Sequence, residues 1–100
     1  MKITIISVGK IKEKFYAEAV KEYAKRLSRY CKLTEEVVPD ERADECFSPA
    51  EIDRVKIKEG QKILNKIPKN SYVIVLDIKG LELSSEAFAD KIKVLADQGI

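Results

Sequence analysis

The sequence predicts an α/β domain on a parallel sheet, with strands and helices alternating in the order β-α-β-α-β-α. Three observations predict it. Short β-branched runs alternate with longer segments whose apolar residues recur every three or four positions. One run, Val73 to Leu76, has no polar alternation and reads as a central strand buried on both faces. One hundred residues, 45% of them hydrophobic and 36% charged, suit one small domain rather than two. Strands separated by helices pair in parallel through right-handed crossovers, with helices over both faces of the sheet.

The first strand is Lys2 to Val8, where Ile3, Ile5, Ile6 and Val8 surround β-branched Thr4, and Gly9 punctuates its end. From Tyr16 the apolar positions Ala19, Val20, Tyr23, Ala24 and Leu27 define one face of a first helix. Leu33, Val37 and Val38, stopped by Pro39, give a second strand that Glu35 and Glu36 assign to an edge. Asp40 to Phe47 is acidic and without period, hence a surface loop.

Ser48-Pro49-Ala50-Glu51 starts a second helix: Ser48 caps, Pro49 takes the first helical position, and Glu51 completes a capping box. The helix runs to about Ile67, with an inner stripe of Ile52, Val55 or Lys56, Glu59 or Gly60, Ile63, Leu64 and Ile67, and Pro68 ends it ahead of a Lys69-Asn70 turn. The central strand follows. Ser84 then caps a third helix stapled by Leu83 and Phe88, with Phe88, Ile92, Leu95 and Ala96 inward and Gly99 as its stop.

Composition excludes several chemistries. The chain has no histidine, so an imidazole base, a Ser-His or Cys-His dyad and a Cys/His zinc site are ruled out, and no other cluster suggests a metal. Cys31 and Cys46 lack C-x-x-C spacing and read as reduced structural thiols. No export signal or membrane-spanning run is present, so a cytoplasmic location is expected. Charge is unevenly spread: residues 1–34 hold nine Lys/Arg against three acids, net +6, whereas residues 35–60 hold four against nine, net −5. A basic end of this kind is compatible with steering a polyanion such as RNA, but a pI of about 8.5 lies below a nucleic-acid footprint, and on charge alone an ordinary solvated surface is slightly favoured.

Four features bear on function. Gly9-Lys10-Ile11-Lys12 occupies the first βα turn without matching either a dinucleotide or a P-loop fingerprint; Lys10 there is a candidate phosphate contact. Lys21, Lys25 and Arg29 recur every four residues as a basic stripe, either tracking RNA phosphates or solvated and balanced by Glu18 and Glu22. Gly60 inside a helix costs about 1 kcal/mol relative to alanine, which predicts a close approach there by strand or ligand. Asp77 stands at the carboxyl end of the central strand, where open α/β sheets bind ligands; it either accepts from a ligand or holds the turn in which Gly80 is expected to take a positive φ.

Taken together, Met1-Lys2-Ile3 through Val8-Gly9-Lys10, Glu22-Tyr23-Ala24-Lys25-Arg26-Leu27 with Arg29-Tyr30, Lys58-Glu59-Gly60, Val75-Leu76-Asp77-Ile78-Lys79-Gly80, Leu83 to Ala89 and Asp97-Gln98-Gly99 resemble the SPOUT-class methyltransferases that act on N3 of a pseudouridine in 23S ribosomal RNA. The resemblance runs in register along the whole chain. It implies an α/β-knot fold of which this chain holds the N-terminal part, S-adenosylmethionine as methyl donor, the ribosome as substrate and a homodimer. Leu76 aligns with a cofactor-binding position of that family, and Asp77 and Gly80 are its neighbours. The family's glycine-rich loop and knotted C-terminal helix lie beyond residue 100, so this chain alone is expected to be inactive, with the open edge of its central strand free to pair with another chain. The proton acceptor stays open between Asp77, Glu59, water and a group outside the chain. The rival class is a noncatalytic α/β module that binds RNA or ribosomes through its basic helix.

Overall fold

The computed structural model describes residues 1–40 and 48–99. Its elements are strand β1 (Lys2–Val8), helix α1 (Lys14–Leu27), strand β2 (Lys32–Val38), helix α2 (Pro49–Lys66) and helix α3 (Ser85–Asp97). The chain divides into two compact units, Lys2–Ile67 and a second formed by Met1 with the residues from Pro68 onward. The loop expected over residues 40–47 falls, from Glu41 on, outside the described residues, and so does Cys46.

In the first unit β1 and β2 pair in parallel without a slip, from Lys2 opposite Lys32 to Val8 opposite Val38. A parallel pair needs a crossover, and α1 supplies it. At the carboxyl ends the ladder is fastened by one more bond, in which the Gly9 N–H donates to the Val38 carbonyl at 2.8 Å. Gly9 has φ +80, a conformation that glycine takes without steric cost. Val38, just before Pro39, is only 1% exposed and is the most buried side chain of the unit.

Helix α2 begins as its sequence demands. The Glu51 N–H donates to Ser48 Oγ at 3.2 Å, and the Ser48 hydroxyl donates to Glu51 Oε1 at 3.1 Å, with Pro49 at the first helical position. Its half-buried side carries Val55, Glu59, Gly60, Lys62, Ile63 and Ile67, and Lys66 reaches Glu36 of β2 at 3.8 Å. Leu64, expected in that stripe, is 67% exposed because it projects beyond the edge of the arc that Val55, Glu59 and Ile63 define. The close helix–strand packing that was one reading of Gly60 is absent: a Cβ added there meets nothing within 4 Å among the described residues.

Helix α1 buries less than its pattern foretells. Ala17 and Ala24 are half-buried, whereas Tyr16, Val20, Tyr23 and Leu27 remain exposed. The physical reason is width: two strands offer a narrow floor, and the small alanines reach it while the larger residues beside them overhang.

In the second unit, Asn70 takes φ 62 in the expected turn after α2. The expected third strand is not formed, so the element order is β-α-β-α-α rather than β-α-β-α-β-α. The only sheet among the described residues has two strands, each the other's partner. Val73–Leu76 therefore has the composition of a central strand but no ladder among the described residues. Helix α3 starts as expected, with the Ala87 N–H donating to Ser84 Oγ at 3.1 Å, and stops at Gly99 with φ +77. Its inner residues are Ala87, Ile92 and Leu95; Ala96 is exposed, contrary to the periodic reading.

Candidate functional site

The candidate site lies in the second unit, on the turn that follows the apolar run. Asp77 builds that turn. Its Oδ1 accepts the Lys79 N–H at 3.0 Å, and its carbonyl accepts the Gly80 N–H at 2.9 Å. A carboxylate that accepts a backbone amide two residues on is an Asx turn, which is the turn-holding alternative for this residue. Gly80 serves differently from expectation. Its φ is not positive; instead a Cβ at this position would stand 3.0 Å from the Asp77 carbonyl oxygen, so a side chain here would crowd the turn backbone, and the glycine is favoured by closeness rather than by handedness.

The turn pushes its flanking apolar side chains outward. Leu76 is 87% exposed and Ile78 is 104% exposed, with Val75 and Leu81 also open. Two depressions meet here. One runs between Ile74, Leu76, Leu81 and Leu83 on one side and Ser84, Phe88 and Lys91 of the α3 start on the other, with a volume of about 430 Å³. The other is floored by Val75, Asp77, Ile78 and Gly80. Leu76 borders both, so the three cofactor candidates Leu76, Asp77 and Gly80 are brought together in one turn beside an apolar cleft.

Leu83 and Phe88, the pair expected to staple the start of α3, both line the cleft. Lys91 closes the far side with a cation, its Nζ 6.0 Å from the Tyr72 ring centroid. Sequence reasoning missed Lys91 and Phe88 as members of the site. The signal was present, since Phe88 and Lys91 are three apart on one helix face.

The basic candidates belong to the first unit. Lys10 is exposed in the loop after Gly9, and Lys21 and Lys25 stand on the exposed side of α1. Arg29 lies beyond the helix, which ends at Leu27, so the stripe is two helical lysines followed by an arginine in the next turn. Glu22, expected to balance these charges, instead accepts from Arg26 Nε at 3.1 Å. Among the described residues Lys21 and Lys25 have no carboxylate partner. Glu59 sits half-buried on α2 in this first unit, whereas Asp77 is in the second. No group of three or more metal-ligating side chains occurs among the described residues, and none of their helices is long and apolar enough to cross a membrane.

A family model described as "Predicted SPOUT methyltransferase" matches the chain over residues 1–100. The chain belongs to the SPOUT methyltransferase family. Curated relatives include proteins named ribosomal RNA large subunit methyltransferase H from Limosilactobacillus reuteri at 54% identity, Levilactobacillus brevis at 52% and Lactobacillus delbrueckii subsp. bulgaricus at 50%, each aligned over 99% of this chain. The SPOUT chain described here spans 62% of the length of those relatives.

Proposed function

We propose that this chain is part of an S-adenosylmethionine-dependent methyltransferase acting on N3 of a pseudouridine in 23S ribosomal RNA, working in the cytoplasm as a homodimer. The observation that carries the reading is the family match along every residue, together with relatives at 50–54% identity that are named for methylation of large-subunit ribosomal RNA. Disrupting the gene and mapping modified nucleotides of 23S ribosomal RNA by mass spectrometry should remove one N3-methylated pseudouridine; its persistence would overturn the reading.

The cleft fits one wall of a nucleoside-bearing cofactor. Leu76, Leu81 and Phe88 offer apolar surface for a planar base. When bound, such a cofactor supplies an electrophilic methyl group on a sulfonium. What remains for protein groups is positioning, worth up to roughly 7–11 kcal/mol, and removal of the N3 proton. In this reading Asp77 shapes the turn that presents Leu76, since its Oδ1 is taken by the Lys79 N–H. The proton acceptor stays open between Asp77, Glu59, water and a group outside the chain. Lys10, Lys21, Lys25 and Arg29 serve the RNA, as phosphate contacts whose number is read from salt dependence.

A further inference from the structure

The aromatic residues of α1 and of the turn after it are absorbed neither by the sheet nor by the cofactor reading. Phe15, Tyr16, Tyr23 and Tyr30 make up four of the seven aromatic residues of the chain. All four are exposed, Tyr16 by 57% and Tyr23 by 63%. Tyr16 and Tyr23 are seven residues apart, which puts them on one side of the helix with only about 20° of drift and roughly 10.5 Å of rise between them. Phe15 extends the Tyr16 surface, the two ring centroids lying 4.2 Å apart at 39°. Arg26 sits with Cζ 5.8 Å from the Tyr23 centroid, and its Nε is fixed by Glu22 at 3.1 Å, which leaves the two terminal nitrogens unused by that bond. The result is a row of flat π-faces with a guanidinium held among them.

We infer that this flank of α1 is a stacking platform for unpaired RNA bases. The inference rests on the RNA reading above and extends it to a different surface. Lys21 and Lys25 are each two residues from Tyr23, so they lie about 160° away around the helix, and the phosphate contacts and the rings cannot share one face. The choice of RNA over an apolar protein partner follows from charge. The first 34 residues carry net +6, which favours a polyanion, and exposed aromatics interleaved with Arg suit bases because every base offers a π-face. A second copy of this chain meeting it through the same face would bring like charge against like.

The test uses the hundred-residue chain and a labelled oligouridylate of about twelve nucleotides, within the range of single-strand site sizes. An abasic strand of equal length and charge serves as control. The expected result is tighter binding of oligouridylate than of the abasic strand. Tyr16→Ala and Tyr23→Ala should each weaken it by about fivefold or more at unchanged salt slope, whereas Tyr23→Phe, which keeps the ring, should retain affinity. Equal binding of both strands, insensitive to the tyrosines, would overturn the platform while leaving phosphate-mediated RNA binding intact. Binding of neither strand would overturn the RNA reading of α1 and the platform together. Sedimentation that shows a dimer dispersed by Tyr16→Ala/Tyr23→Ala would instead assign the face to self-association and remove the proposal.

Discussion

Strand β1 and the segment from Tyr72 to Ile78 are written in nearly the same residues, and the molecule uses them in opposite ways. Each residue of β1 is in register with one of β2, and Gly9 adds a further bond at the end of the ladder. The later segment has more apolar character, no ladder and two of the most exposed aliphatic side chains in the chain, Leu76 and Ile78. The comparison teaches that β-branched, apolar sequence selects an extended backbone, but a strand is made by a partner's N–H and C=O groups. Where no partner is supplied, the same residues become exposed apolar surface, which in a native protein marks a place where something binds.

Substitutions can break or sharpen that contrast. The largest effect is expected at Val38. Truncation to alanine removes buried methyl groups from the tightest point of the ladder unit and should cost about 2 kcal/mol in denaturant unfolding. An unaffected midpoint would mean that the β1-β2 unit does not govern stability. Next is Gly9→Ala, which meets both a left-handed φ and the Asp40 carboxylate, whose oxygens would stand 2.6 and 2.7 Å from the new Cβ. A loss of roughly 1–2 kcal/mol is expected from the backbone alone, and Asp40→Ala in the same background should recover only the part due to crowding. Ser48→Ala and Ser84→Ala each delete a cap of about 1 kcal/mol, read in the helix signal of α2 and α3 respectively. The smallest effect belongs to Ile78→Ser, which should stay within about 0.5 kcal/mol because its side chain is already in water. A larger loss there would show that the segment is packed in solution.

These contrasts also explain what could be read in advance. Elements specified locally are found where the sequence puts them. Ser48-Pro49 and Ser84 start their helices and Gly99 ends α3, because caps and turns are decided by neighbours a few residues away. The misreadings share a cause. Val73 to Leu76 as a strand, Leu64 as inner stripe and the α1 tyrosines as core all assumed that an apolar pattern would find its cover. Pattern records the demand for burial but not its satisfaction. At the candidate site, the turn was legible from Asp77 and Gly80, though the role of glycine was not: closeness to the Asp77 carbonyl depends on coordinates that no residue type encodes. Phe88 and Lys91 share a helix face by their spacing, but that this face borders the cleft depends on how α3 follows the turn.

The central claim is that the exposed apolar turn around Leu76 is a cofactor wall, whereas the ladder unit is scaffold. A titration of the isotopically labelled chain with S-adenosylmethionine, followed by amide chemical shifts, tests it residue by residue. The account predicts weak binding, with a dissociation constant of about 1 mM or above because only one wall is present, and shifts confined to Ile74 through Leu83 with Phe88 and Lys91. Leu76→Asp should abolish those shifts and leave β1 and β2 unmoved. Shifts centred on Gly9 and Lys10 at the end of β1, or binding of micromolar strength that survives Leu76→Asp, would contradict it.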